Sequence, residues 1–187
     1  MKFDKYLDLK GKHAFLSPSS SAWLRYDKEK LKQVYLSRRA AELGTRLHEF
    51  AAEAIELNRK MPQNKDTLNL YINDAIKYHM ETEVPLYYSD YCFGHTDAIS
   101  FDDEKQFLRI HDLKTGEHGS MEQLEVYASL FCLMKHKDPF KIGIELRLYK
   151  QGEVLVNNPS PEKIQDYMDI IVDDCDYIVS QLEEIEI

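Results

Sequence analysis

The sequence contains no apolar run approaching the roughly 18–20 residues of a membrane-spanning helix, no internal repeat and no low-complexity tract. It has no surplus of base either: Lys and Arg number 24 against 33 Asp and Glu, for a formal net charge of −9. Phosphate binding draws on Lys and Arg, so the net charge weighs against a nucleic-acid partner. The three cysteines, Cys92, Cys132 and Cys175, are scattered and form no C-x-x-C pair. That pattern argues against a disulfide framework and against a zinc or iron–sulfur site, and for three reduced thiols. No G-x-x-x-x-G-K-[ST] loop is present, and Lys114-Thr115 alone does not make one, so no nucleotide-driven motor is expected. The opening Met1-Lys2-Phe3-Asp4-Lys5 leads into charged residues without the apolar core of a signal peptide. The expectation is a cytoplasmic protein with no membrane partner.

What remains is enough for one domain with a real core in 187 residues. The charge is uneven. Glu162 to Glu186 holds many acids and one Lys, whereas Arg25 to Arg46 carries Lys28, Lys30, Lys32, Arg38, Arg39 and Arg46. That second stretch leaves room for a basic face, although a solvated helix surface is the plainer reading of each run taken alone.

Pattern and punctuation predict a helix over Ser19–Tyr26, then a long one over Lys28–Lys60 with a break near Gly44. A third follows over Asp66–Thr82. Glu83–Ser89, Tyr91–Phe101 and Gln106–Lys114 read as strands, Ser120–Lys135 as a helix, Lys141–Lys150 and Glu153–Val156 as strands. Ser160-Pro161 opens a last helix. The fold class is α+β, or α/β with a mixed sheet. It divides into a helical region over about 15–82, a sheet core over 83–157 and a terminal helix over 160–187, all within one domain.

The informative segment runs from Phe93 to Lys114. A hairpin joining Tyr91–Phe101 to Gln106–Lys114, with its tip at Glu104-Lys105, sets Asp97 directly across from Asp112, with Cβ atoms about 4.5–5.5 Å apart. By the period of two, Asp97 shares a face with Ile99 and Phe101, and Asp112 with Leu108, Ile110 and Lys114. An apolar face thus ends in two carboxylates and an ammonium. Two like charges so placed repel, and a divalent cation between them offsets the cost. The alternative is a sheet edge where Asp112 and Lys114 form an ordinary ion pair in water.

Gly94-His95-Thr96-Asp97 followed by Asp112-Leu113-Lys114 resembles the D…(D/E)-x-K pattern of PD-(D/E)XK nucleases. Gly44-Thr45-Arg46-Leu47-His48-Glu49 resembles the G-x-x-x-H helix motif of their RecB-like branch, and Gln123-Leu124-Glu125-Val126-Tyr127 its Q-x-x-x-Y motif. His13 to Ser20 is similar to the opening of phage-borne members. The resemblance spans about residues 13–127. It implies a restriction-endonuclease-like core, a mixed sheet flanked by helices, and metal-dependent hydrolysis of DNA phosphodiesters, as an exonuclease or end-processing enzyme of phage or mobile-element DNA metabolism. The iron–sulfur members carry cysteines near both ends of the pattern; Trp23-Leu24-Arg25-Tyr26 has none, so no cluster is expected.

Carried over residue by residue, Asp97 and Asp112 bind Mg²⁺ or Mn²⁺, with the Leu113 carbonyl and His48 as further ligands. Lys114 positions or deprotonates the attacking water, and Gln123 and Tyr127, which share a helix face, support the site and touch the strand. His95 and His111 are expected to support the site rather than to ligate. Arg38, Arg39 and Arg46 are candidate phosphate contacts; Trp23, Tyr26, Tyr87, Tyr88 and Tyr91 are candidate stacking or packing residues. The implied partners are DNA and a recombination or replication protein. A competing reading is a non-catalytic interaction or anti-defence protein on the same scaffold, motivated by the net acidity.

Overall fold

The computed structural model describes residue 9, residues 11–116 and residues 119–182. The expected terminal helix beyond 182 therefore lies outside the described residues. The chain falls into two compact units, Met1–Leu43 and Gly44–Ile187, the boundary falling within helix α1 (Lys28–Glu56).

In the first unit, Pro18–Arg25 forms 3-10 turns that end at Tyr26. The Trp23 indole donates to the Ser17 carbonyl at 2.9 Å, and Phe15 meets Tyr35 edge-on at 5.2 Å between ring centres. Arg38, a candidate phosphate contact, is engaged locally with Glu42 and with the His13 carbonyl.

The second unit is built on a five-stranded sheet in the order β1-β2-β3-β4-β5. The strands are β1 (Glu81–Ser89), β2 (Cys92–Asp102), β3 (Phe107–Lys114), β4 (Gly143–Lys150) and β5 (Glu153–Asn157). Neighbours pair antiparallel except β3 and β4, which run parallel. A parallel pair needs a long crossover, and α3 (Met121–Lys135) supplies it. The sheet is therefore mixed and flanked by helices, as the coarse expectation required. On one face Ile99, Leu108, Ile110, Leu146 and Leu148 pack on α3 and on α4 (Pro161–Tyr177). On the other, Ala98, Leu113 and Tyr149 pack with the end of α1 and with α2 (Thr67–Lys77).

Two expectations about helices fail for physical reasons. The break near Gly44 does not occur; α1 runs through it. Gly44 is buried, and a Cβ there would stand 2.8 Å from the Thr115 hydroxyl oxygen, so this glycine allows a close approach rather than a break. The helix expected to reach Thr82 stops at Lys77. His79 takes a left-handed φ of 51°, Met80 turns into the core, and Glu81 and Thr82 pair with Ile99 and Ala98. Sheet pairing outcompetes the helical pattern there. Among the described residues no helix is long and apolar enough to cross a membrane.

Candidate active site

The β2–β3 register is the one the sequence suggested. Ala98 pairs with His111, Ile99 with Ile110 and Phe101 with Leu108. That ladder closes one step short of Asp97 and Asp112. Past it the Asp97 carboxylate reaches across, and its Oδ2 accepts the Leu113 amide at 2.7 Å. A side chain thus takes over where backbone pairing stops.

The β1–β2 ladder shows why. Thr82 pairs with Ala98 and Val84 with Thr96, which brings Glu83 level with Asp97. Ile99 packs on the α3 side, and a Cβ on Gly94 would also strike α3, at 2.8 Å from Tyr127 Cε1. These residues are an odd number of positions apart, which strict alternation forbids. The side-chain alternation slips once between them. Glu83 has a φ of 52°, the left-handed region, and marks the slip. The expectation that Asp97 simply continues the face of Ile99 and Phe101 is corrected accordingly.

Glu83 (β1), Asp97 (β2) and Asp112 (β3) therefore line up on neighbouring strands. From α1, His48 brings its Nδ1 to 3.3 Å from Asp97 Oδ1. One ligand atom from each of His48, Glu83 and Asp97 lies within 4.8 Å of the others. Glu83 is the functional candidate that the sequence reading missed. A turn at Asp90-Tyr91 alone would set Glu83 opposite Ala98; the irregularity between Tyr87 and Ser89 shifts the register by one and brings Glu83 level with Asp97, so no local signal reveals it.

Asp112 stands beside this group rather than within it. Its side chain is 4% exposed. Lys114 Nζ donates to Oδ1 at 3.0 Å and lies 2.9 Å from Oδ2, but off the direction a hydrogen bond needs, so buried Oδ2 has no hydrogen-bond partner. Burial, and then the nearby Asp97 charge, push the Asp112 carboxyl above its usual range; Lys114 and His48 pull the other way. His48 is held above its ordinary value, first by its hydrogen bond to Asp97, against the opposing effect of burial. These are the traits of a site short of positive charge. Hard carboxylate oxygens with one imidazole suit Mg²⁺ or Mn²⁺, so the residues present fit such an ion.

Lys114 also donates to Gln123 Oε1 at 3.1 Å, and Gln123 Nε2 donates to the Tyr127 hydroxyl at 3.2 Å. The structure thus joins both α3 residues to the lysine in one chain of hydrogen bonds. Leu113 offers its amide to Asp97 and buries its side chain on the α1–α2 side. Neither flanking histidine joins the group. His95 is exposed in β2. His111 is fully buried on the opposite face, 3.2 Å from the Tyr149 hydroxyl, which itself donates to Asp74 at 2.8 Å. No family model, curated protein or solved structure matches the chain.

Proposed function

We propose that this chain is a divalent-metal-dependent deoxyribonuclease of the PD-(D/E)XK type. One observation carries the reading: three acids on adjacent strands, one of them buried with an orphaned oxygen and bonded to a lysine, faced by a histidine from a separate helix. An ordinary surface ion pair does not need this arrangement, and Lys114 is one positive charge among three gathered carboxylates.

His48, Glu83 and Asp97 would hold the ion, with Asp112 and the Leu113 carbonyl completing its surroundings. When bound, the ion supplies Lewis-acid stabilisation of charge on the phosphate and a more acidic water. The chain's own residues do the rest. Asp112 fixes the Lys114 ammonium at the edge of the site, and Gln123 holds it from the other side. So placed, Lys114 orients the attacking water and exchanges a proton with it. Tyr127 braces Gln123. In-line attack breaks the P–O bond to the leaving sugar oxygen and leaves a phosphate on one product and a hydroxyl on the other.

The test is digestion of labelled single- and double-stranded DNA with Mg²⁺, Mn²⁺ or EDTA. The expected outcome is cleavage that EDTA abolishes and that Lys114→Ala lowers by about 10²-fold or more. Equal cleavage by Lys114→Ala, or none by the native protein, overturns the reading. DNA binding without cutting would favour the interaction-protein alternative.

A further inference from the structure

A cavity of about 370 Å³ opens beside Lys114, on the side away from Gln123's helix. It lies between α1, the start of α2, the end of β3 and the β4–β5 turn. Its volume is at the lower end of the range for single small-ligand sites. Leu47, Leu68 and Leu113 give it apolar walls, and Asp66, Thr67 and Gln151 give it polar ones.

The described walls offer a phosphate little. Among the described residues of the lining Lys114 is the one cation, and Asp112 and Gln123 already hold its ammonium. Two first-turn amides of α2 are taken as well. Asp66 Oδ1 accepts from Leu68 at 3.1 Å and from Asn69 at 3.2 Å. What is left is an apolar slot with specific hydrogen-bonding edges. Asp66 keeps its second carboxylate oxygen out of the cap. The Thr67 hydroxyl accepts the Gly152 amide at 2.6 Å, so its own hydrogen remains free to donate. Gln151, exposed on a left-handed turn, can donate or accept.

We propose that this cleft is a nucleobase pocket, which receives the base next to the scissile phosphate and selects bases that carry an exocyclic amine. The proposal rests on the nuclease reading above. The planar ring lies against the leucines. The exocyclic amine donates to Asp66, and a ring nitrogen or carbonyl accepts from Thr67 or Gln151. Thymine and uracil offer only N3–H, flanked on both sides by carbonyl oxygens that the Asp66 carboxylate repels, and are disfavoured. The Lys114 stem forms part of the wall, so a base seated here keeps its own phosphate at the ammonium end, beside Asp112.

The experiment uses the full chain with Mn²⁺ and single-stranded oligonucleotides that are identical apart from one internal base in a thymidine background. Cleavage rates are resolved by position on a sequencing gel. Cleavage beside A, C or G is expected to be at least about tenfold faster than beside T, the worth of one hydrogen bond to a charged group. Asp66→Asn keeps a competent helix cap and is expected to bring the ratio within about twofold; circular dichroism checks its fold. Leu68→Trp, which fills the cleft with a larger side chain, is expected to erase the preference independently. Equal rates for all bases in the native protein, or an unchanged preference in both variants, overturns the pocket while leaving the nuclease reading intact. Absence of metal-dependent cleavage on every oligonucleotide overturns both.

Discussion

Glu83 is held in a backbone conformation that costs a non-glycine residue of order 1 kcal/mol or more, and it spends that strain beside two other acids. Repulsion is what a stable sheet avoids, and a bound cation would offset it. Glu83→Gln should raise the Mn²⁺ concentration needed for half-maximal activation by about tenfold or more, while relieving charge repulsion in the metal-free protein. Activity followed against Mn²⁺ concentration measures the first effect, and urea denaturation in EDTA the second. An unchanged activation midpoint would remove Glu83 from the ligand set. A different pH signal comes from the other face of β3. Burial, with Arg147 and Arg109 nearby, lowers His111 to about 3. The unfolded chain takes up a proton near pH 6.5, and the folded one resists it. Stability from neutral His111 is therefore fully present above about pH 6.5 and drains as pH falls toward 3. Urea midpoints measured in EDTA at pH 7 and pH 4.5 should fall steeply for the native chain. They should fall less for His111→Phe, which keeps the ring shape and also removes the orphaned Nε2. Parallel losses in the two proteins would show that His111 does not set the acid limb.

Single elements aim the site through their spacing. In α3, Gln123 and Tyr127 lie one turn apart and form a brace for Lys114. In β2, Gly94 leaves the room that the Tyr127 ring occupies. Gly94→Ala should push that ring aside and loosen the brace. We expect turnover to fall by about tenfold while Mn²⁺ still stabilises the fold, because no ligand is touched. Steady-state kinetics set beside thermal denaturation with and without Mn²⁺ separate the two effects; loss of the metal response as well would mean that the sheet itself had moved. Much at this scale was legible in the sequence. The β2–β3 register is the one a tip at Glu104-Lys105 sets, and the helices expected to start at Ser120 and Ser160 are α3 and α4, with those serines as their N-caps. The end of α2 and the continuity of α1 were not legible, because contacts distant in sequence decided both.

For the whole molecule, the net charge of −9 and the gathered acids make the same demand. A cation that binds only the folded state stabilises it by mass action, by about 2.7 kcal/mol at a concentration a hundred times its dissociation constant. For a domain of this size that is a rise in Tm of roughly 5–10 °C. Mn²⁺ should produce such a shift in the native chain and little in Asp97→Asn, read by differential scanning fluorimetry at constant ionic strength. An equal shift in both would make the effect nonspecific screening. The sequence by itself determined the class of the fold, the register of β2 on β3, and the nearness of Asp97, Asp112 and Lys114. These depend on local periodicity and on a short turn. Only the tertiary structure decided that the alternation slips at Glu83, that Glu83 joins His48 and Asp97, and that a cavity opens beside Lys114. Those outcomes depend on which distant elements compete for the same space, and no window along the chain records that competition.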